Sequence, residues 1–142
     1  MGSHFSAQQM TKEEVATTDA MVNVDTLGLT LPEVWASHSD QRLTGALVFI
    51  AKKMNVLVTA VNVDQIGSTD SVQFSELKIP SIAIHSLTQG TWNAHILHTS
   101  RDKLSVTHLD NYYQTYLVVS AYLAFLDQVA DASSSAEPQQ SR

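Results

Sequence analysis

The sequence predicts an α/β three-layer sandwich with a largely parallel sheet, and three observations carry that expectation. Short apolar runs rich in β-branched residues recur at 20–25, 33–37, 56–61 and 81–85, as buried strands do. Stretches with helical spacing of apolar residues separate them, and such alternation lays helices on a sheet. Polar clusters flank the run Ile79-Pro80-Ser81-Ile82-Ala83-Ile84: Ser68-Thr69-Asp70-Ser71 before it, His98-Thr99-Ser100-Arg101-Asp102 after it. Folds of this class gather their ligands at strand ends.

Residues 1–19 read as polar helix, with Thr11 and Glu14 spaced as a capping box. Met1 to His4 reads either as native chain or as a cloning remnant. The strand at 20–25 ends in Asp25, which has two readings. It is a ligand-position acid at a strand end or a turn-forming Asp before Gly28. A second strand covers 33–37. Ser37 or Ser39 then caps a helix running to about Met54, with Leu43, Ala46, Leu47, Ile50 and Met54 on one face. Lys52 and Lys53 suit its C-terminal dipole.

The almost wholly apolar run at 56–61 predicts a central strand. Ser68 or Thr69 caps a short helix at 71–77. Pro80 ends it and opens the strand at 81–85. Residues 86–97 are expected as loop. Asp110 caps a last helix over 111–129, where Tyr112, Tyr116, Val119, Leu123 and Leu126 form one stripe widened by Val118, Tyr122, Phe125 and Val129. Its four tyrosines read as core with hydroxyls at the rim. One domain is expected over 1–130, followed by a disordered tail, 131–142.

Bulk properties narrow the function. A net charge of −6 opposes a nucleic-acid partner, which asks for a basic face. No window is apolar for the roughly 18 residues that span a bilayer, and no signal-peptide pattern opens the chain. With no cysteine, disulfides, thiolate catalysis and cysteine zinc sites are all excluded.

Six histidines invite a metal reading. His4, His38 and His108 have no partner at ligand spacing and read as surface residues. His85 ends a strand, and His95 and His98 stand three apart in a loop, a weak metal signal by themselves. A Ser-His-Asp arrangement of Ser68 or Ser71 with His98 and Asp102 is conceivable, although no Gly-x-Ser-x-Gly elbow accompanies it. Asp25, Asp70, Asp102 and His98 at strand ends favour a metal-assisted hydrolase.

Those residues also carry a resemblance. The series Asn23-Val24-Asp25-Thr26-Leu27-Gly28, Ser68-Thr69-Asp70-Ser71-Val72-Gln73-Phe74, Lys78-Ile79-Pro80 and His98-Thr99-Ser100-Arg101-Asp102 resembles the co-catalytic zinc aminopeptidases. That di-zinc metallopeptidase family also holds carboxypeptidase-like and glutaminyl-cyclase-like members. It shows Asn-Leu-Asp-Met-x-Gly, Ser-Asp-His-x-x-Phe, Gly-Ile-Pro and His-Thr-x-x-Asp in this order before a closing helix. The resemblance covers about residues 1–128.

It implies that Asp25 is a terminal ligand of one zinc and His98 of the other. Asp70 would lie beside the site against substrate or ligand groups, and Asp102 would orient the His98 loop. Ser71 stands where the family has histidine. The family's upstream His-x-Asp and Glu-Glu motifs have no counterpart here. Gly2, Ser3 and Phe5 resemble the end of the Gly-Leu-x-Gly-Ser-x-x-Phe pattern that follows the glutamates. The resemblance therefore implies the C-terminal half of a zinc-exopeptidase fold, taken from an aminopeptidase that acts on free N-termini of peptides in a secreted or periplasmic setting.

This chain is expected to bind zinc weakly by itself and to hydrolyse no peptide, because neither zinc keeps three ligands and no glutamate stands as general base. An uncovered edge and face predict a homodimer or pairing with the missing half. Two further readings stay open: a non-catalytic binding or assembly module, and a simple metal-binding protein using His95, His98 and Asp102.

Overall fold

The computed structural model describes residues 2–135. Two short helices, α1 (Gly2–Gln9) and α2 (Lys12–Thr17), precede strand β1 (Met21–Val24). The capping box of α2 forms as its sequence demands: the Glu14 amide donates to the Thr11 hydroxyl at 3.2 Å and the Thr11 amide to the Glu14 carboxylate at 2.7 Å. Strand β2 (Glu33–Trp35) passes through a 3₁₀ turn (Ala36–His38) into helix α3 (Gln41–Lys53). Then come β3 (Thr59–Val61), α4 (Ser71–Glu76), β4 (Ser81–His85), α5 (Gln89–Asn93) and the long α6 (Leu109–Ser135).

The four strands lie in the order β1-β4-β2-β3. The ladders β1–β4 and β2–β3 are parallel, while β2–β4 is antiparallel and pairs Glu33 with His85. The sheet is thus largely parallel but mixed. One consequence matters for function: the C-terminal ends of β1 and β4 and the N-terminal ends of β2 and β3 all open at the same side.

Alternation along the strands builds two cores. Val34, Ile82 and Ile84 face α3 and α6, where they meet Leu43, Leu47, Ala51, Val118 and Tyr122. Trp35 and Ala83 face the other way and pack with Val63 and Leu87. The hydroxyl of buried Tyr122 donates to the Leu43 carbonyl at 3.1 Å, clamping α6 to α3. Helix α4 lies against β4 and β1.

Several boundaries differ from expectation, each for a local reason. The apolar run at 56–61 is no central strand. Only Thr59–Val61 pairs, at the sheet edge. Val56 instead folds back to close α3, its amide donating to the Ala51 carbonyl at 2.9 Å, and Val56 and Val58 pack onto the α3–α6 core. Apolar content marked contact with that core rather than strand centrality.

Asp40 caps α3, accepting from the amides of Arg42 and Leu43. Ser39 instead accepts the Ala83 amide at 3.0 Å, tying the helix approach to β4. Asp70 takes the N-cap position of α4 without a side-chain capping bond, and the Thr69 hydroxyl accepts from the Asn23 carboxamide at 2.8 Å. The stretch expected as loop holds α5, whose start is a Thr88–Thr91 capping box.

On α6 the buried positions are Thr115, Val118 and Tyr122, while Tyr112, Tyr113 and Tyr116 are about half exposed. The true stripe is rotated from the expected one. The helix also runs to Ser135, into the stretch expected as disordered tail. Residues 136–142 of that stretch lie outside the described residues.

Candidate functional site

Asp25 and His85 stand at the shared opening of the four strands. Asp25 directly follows β1. Its amide donates to the Ile84 carbonyl at 3.0 Å, extending the β1–β4 ladder by one bond. Its carboxylate accepts from the Thr26 hydroxyl at 3.1 Å and is exposed. Thr26 has φ +51 and Gly28 φ +87, so the chain turns sharply off the strand. A Cβ on Gly28 would meet Thr107 Cγ2 at 2.6 Å, and the Gly28 carbonyl accepts the His108 amide at 2.8 Å. Glycine there lets the Asp25 turn lie directly against the approach to α6.

His85 ends β4 beside Asp25 and is buried. Its Nδ1 accepts the Leu87 amide at 2.9 Å, which leaves Nε2 to carry the proton of the neutral ring. Nε2 has no partner among the described groups. Burial pushes the imidazole down to about 4, opposed by the nearby negative charge of Asp25. Across the antiparallel ladder stands Glu33, also buried, with Oε2 unpaired. Its carboxyl is raised by burial, with a weak bond from Thr30 working the other way.

His98 lies in the loop after α5 and is exposed, with φ +56. Its backbone amide donates to Asp102 Oδ2 at 3.2 Å, and the Asp102 amide donates to the Thr99 carbonyl at 3.0 Å. Arg101 Nη1 donates to the Ala94 carbonyl at 3.1 Å and pins the same loop. The carboxylate thus holds His98 through the main chain. This geometry is not that of a Ser-His-Asp triad, in which the acid holds the imidazole. Ser71 is buried, with its hydroxyl 3.4 Å from that of Thr69. Asp70 accepts a 2.6 Å bond from the Ser3 hydroxyl, joining the start of α4 to α1.

The structure therefore brings His98 together with Asp102, Asp70 with Ser3, and Asp25 with His85. Among the described residues no three of His, Asp or Glu converge as a set able to hold one metal ion, and His95, His98 and Asp102 do not form one. A hydrolytic zinc takes three protein donors and keeps a position open for water. Asp25 and His98 fall short of that donor set, so the residues present do not fit a complete zinc site.

Sequence reasoning did not single out Glu33 for chemistry and noted His85 only as a histidine that ends a strand. The one signal available was their period-2 placement with Trp35 and Ala83, which aims both inward. No motif marks an acid and an imidazole 52 positions apart as neighbours.

No described helix is long and apolar enough to cross a membrane. No curated protein sequence matches the chain. Solved structures do. A zinc aminopeptidase from Bacillus subtilis matches with a TM-score of 0.73 at 19% identity, over 86% of this chain and 31% of that one. The LapA aminopeptidase of Legionella pneumophila matches with a TM-score of 0.73 at 21% identity, over 85% of this chain and 34% of that one. At such identities these likenesses establish the fold, and the chain spans about a third of the length of the structures it matches. The model for Peptidase family M28 matches residues 1–123 of the 142. By that match over most of its length, the chain belongs to peptidase family M28.

Proposed function

We propose that this chain forms the downstream wall of a zinc-dependent aminopeptidase-like site and contributes Asp25 and His98 as terminal metal ligands. Asp102 positions the His98 loop, and Asp70 lies beside substrate or ligand groups while tying α4 to α1. The observation that carries the reading is the Asp102–His98 clasp at 3.2 Å in a chain of this family. A carboxylate fixing the loop of an exposed histidine is what a presented ligand needs. The substrate of the whole enzyme would be a peptide or amino-acid derivative with a free N-terminus, and the metal zinc.

By itself the chain is proposed to bind zinc weakly and to leave peptides intact. Two donors assigned to different metals cannot hold a bridged pair roughly 3.5–4 Å apart. Titration of Zn²⁺ into the purified chain, with Asp25→Ala and His98→Ala alongside, tests this with a chromogenic amino-acid amide as reporter. Weak binding lowered by either substitution, with no turnover, is expected. Turnover on adding zinc, or submicromolar binding indifferent to both substitutions, would overturn it.

We also propose that the chain self-associates or pairs with an upstream half. Strand β1 lies at one end of the sheet, and Val48 and Phe49 on α3 and Leu123 on α6 are 43–51% exposed. Apolar exposure of this kind is covered by association in stable proteins. A monomer mass by light scattering at high micromolar concentration would count against the homodimer.

A further inference from the structure

Strand β1 ends the sheet and pairs on one side only, with β4. The Met21 amide donates to the Pro80 carbonyl at 2.8 Å and the Asp25 amide to the Ile84 carbonyl at 3.0 Å. Backbone groups alternate in direction along a strand, so Met21, Asn23 and Asp25 turn theirs towards β4. Val22 and Val24 turn theirs outward, where no described residue bonds them. Folded proteins blunt an open edge with lysine, proline, a bulge or an inward charge. Met21–Val24 carries none of these, and its register with β4 is unbroken. Val24 is 38% exposed.

The two faces beside this edge differ. Val22 packs on the α3–α6 core, and Val24, two residues on, shares its face. A cleft of about 580 Å³ lies between β1 and α6 on that side, lined by Ala20, Val22, Leu123 and Leu126 and by the acids Asp19 and Asp127. Asn23 points to the other face, where its carboxamide donates to the Thr69 hydroxyl at 2.8 Å. A second β1 offers the same outward groups and the same valines, so the edge is self-complementary. A two-fold axis normal to the sheet sets the two strands antiparallel and keeps each face in register with itself. Of the registers that pair outward residues with one another, only the one centred on Asn23 engages Val22 and Val24 of both copies. It sets Val22 opposite Val24 in both directions, with both backbone bonds exchanged in each pair. A register centred on Val22 sets Asp19 opposite Asp25, and like charges directly opposite destabilise a pair. A register centred on Val24 sets Val22 opposite Thr26, whose φ of +51 takes it off the strand.

We propose that two copies of this chain join through β1, antiparallel about a two-fold axis beside Asn23, into one continuous sheet whose valines and Leu123 are covered by the partner copy. This joint rests on the self-association proposed above and gives it a surface and a register. It sets Met21 of the second copy opposite Asp25, so each copy borders the other's candidate ligand. An upstream half pairing at the same edge excludes it.

The chain has no cysteine, so single introduced cysteines report the joint directly. The two Asn23 residues form a non-hydrogen-bonded pair at the axis, with Cα atoms about 4.5 Å apart, which is within disulfide reach. Asn23→Cys is expected to form a covalent dimer under mild oxidation. Val22 lies diagonally from its own copy, about 7–8 Å away, so Val22→Cys is expected to link about tenfold more slowly. Phe49→Cys, on the exposed face of α3, is expected to do the same. Asn23→Cys gives up the bond to Thr69, so a second variant guards against misfolding. Val24→Pro removes an outward amide and leaves the bonds to β4 in place. It is expected to keep the far-UV circular dichroism of the wild type and to halve the mass seen by sedimentation velocity at high micromolar concentration. A monomeric wild type, its edge left to an upstream half, would overturn both the joint and the self-association. A dimeric wild type whose mass Val24→Pro leaves unchanged, or which links through Val22→Cys or Phe49→Cys in preference to Asn23→Cys, would overturn the joint alone.

Discussion

Glu33 and His85 face each other across the antiparallel β2–β4 ladder, both buried, each with one unpaired polar atom. Residues directly opposite in such a ladder have Cβ atoms about 4.5–5.5 Å apart, so an acid and an imidazole share a poorly solvated strip of sheet. Burial acts on them in opposite directions, and their pH signatures differ accordingly.

For His85 the folded value is depressed to about 4 from 6.5. Below pH 6.5 the unfolded chain therefore takes up a proton that the folded one refuses, and stability falls as pH drops from about 6.5 towards 4. A shift of that size corresponds to roughly 3 kcal/mol. Urea denaturation of the wild type at pH 7.5 and pH 5 should show the loss. His85→Gln, which cannot titrate, should flatten the curve in that window. An unchanged slope in the variant would place the titration elsewhere.

Glu33 behaves the other way. Its carboxyl is raised above 4.5, so the folded chain binds the proton more tightly, and this stabilising contribution is present at low pH and lost as pH rises through the folded value. Glu33→Gln should therefore be more stable than the wild type at pH 7, with the difference shrinking on acidification. A calorimetric melting temperature that falls in the variant at pH 7 would contradict it.

The turn after Asp25 depends on Gly28. Its φ of +87 and the 2.6 Å approach a Cβ would make to Thr107 act together. Gly28→Ala should cost about 2 kcal/mol or more and loosen the link to α6 made by the His108 amide. Equilibrium unfolding gives the first value, and hydrogen exchange at the His108 amide gives the second. A stability loss without faster exchange there would separate strain from docking.

Much of the fold was legible because local chemistry marked it. The Thr11–Glu14 box, the apolar run at 81–85 and Pro80 each placed an element within a residue or two. The third strand was misread because Val56 and Val58 are apolar for contact with the α3–α6 core, and a single sequence does not separate strand centrality from that contact. The tyrosine stripe on α6 was rotated because Thr115 is buried and returns its hydroxyl to the Asn111 carbonyl at 2.9 Å, which makes a polar residue fit for core. Motif order made Asp25, Asp70, His98 and Asp102 legible as candidates for the proposed site. Glu33 and His85 were not, since their meeting is made by the crossover order of the strands.

The His98 loop offers the sharpest local test. His98 holds φ +56, a left-handed conformation that costs a non-glycine residue of order 1 kcal/mol. Asp102 offsets that cost by accepting the His98 amide at 3.2 Å. Asp102→Ala removes the acceptor, so the His98 amide should exchange at least about tenfold faster, while global stability changes by less than about 1 kcal/mol because the loop is exposed. Asp102→Asn keeps an acceptor oxygen in place and should restore most of the protection. If Asn fails to restore it, the clasp depends on the negative charge and not on hydrogen-bond geometry alone. If Ala leaves exchange unchanged, the Arg101–Ala94 bond holds the loop, and His98 is presented without help from the acid.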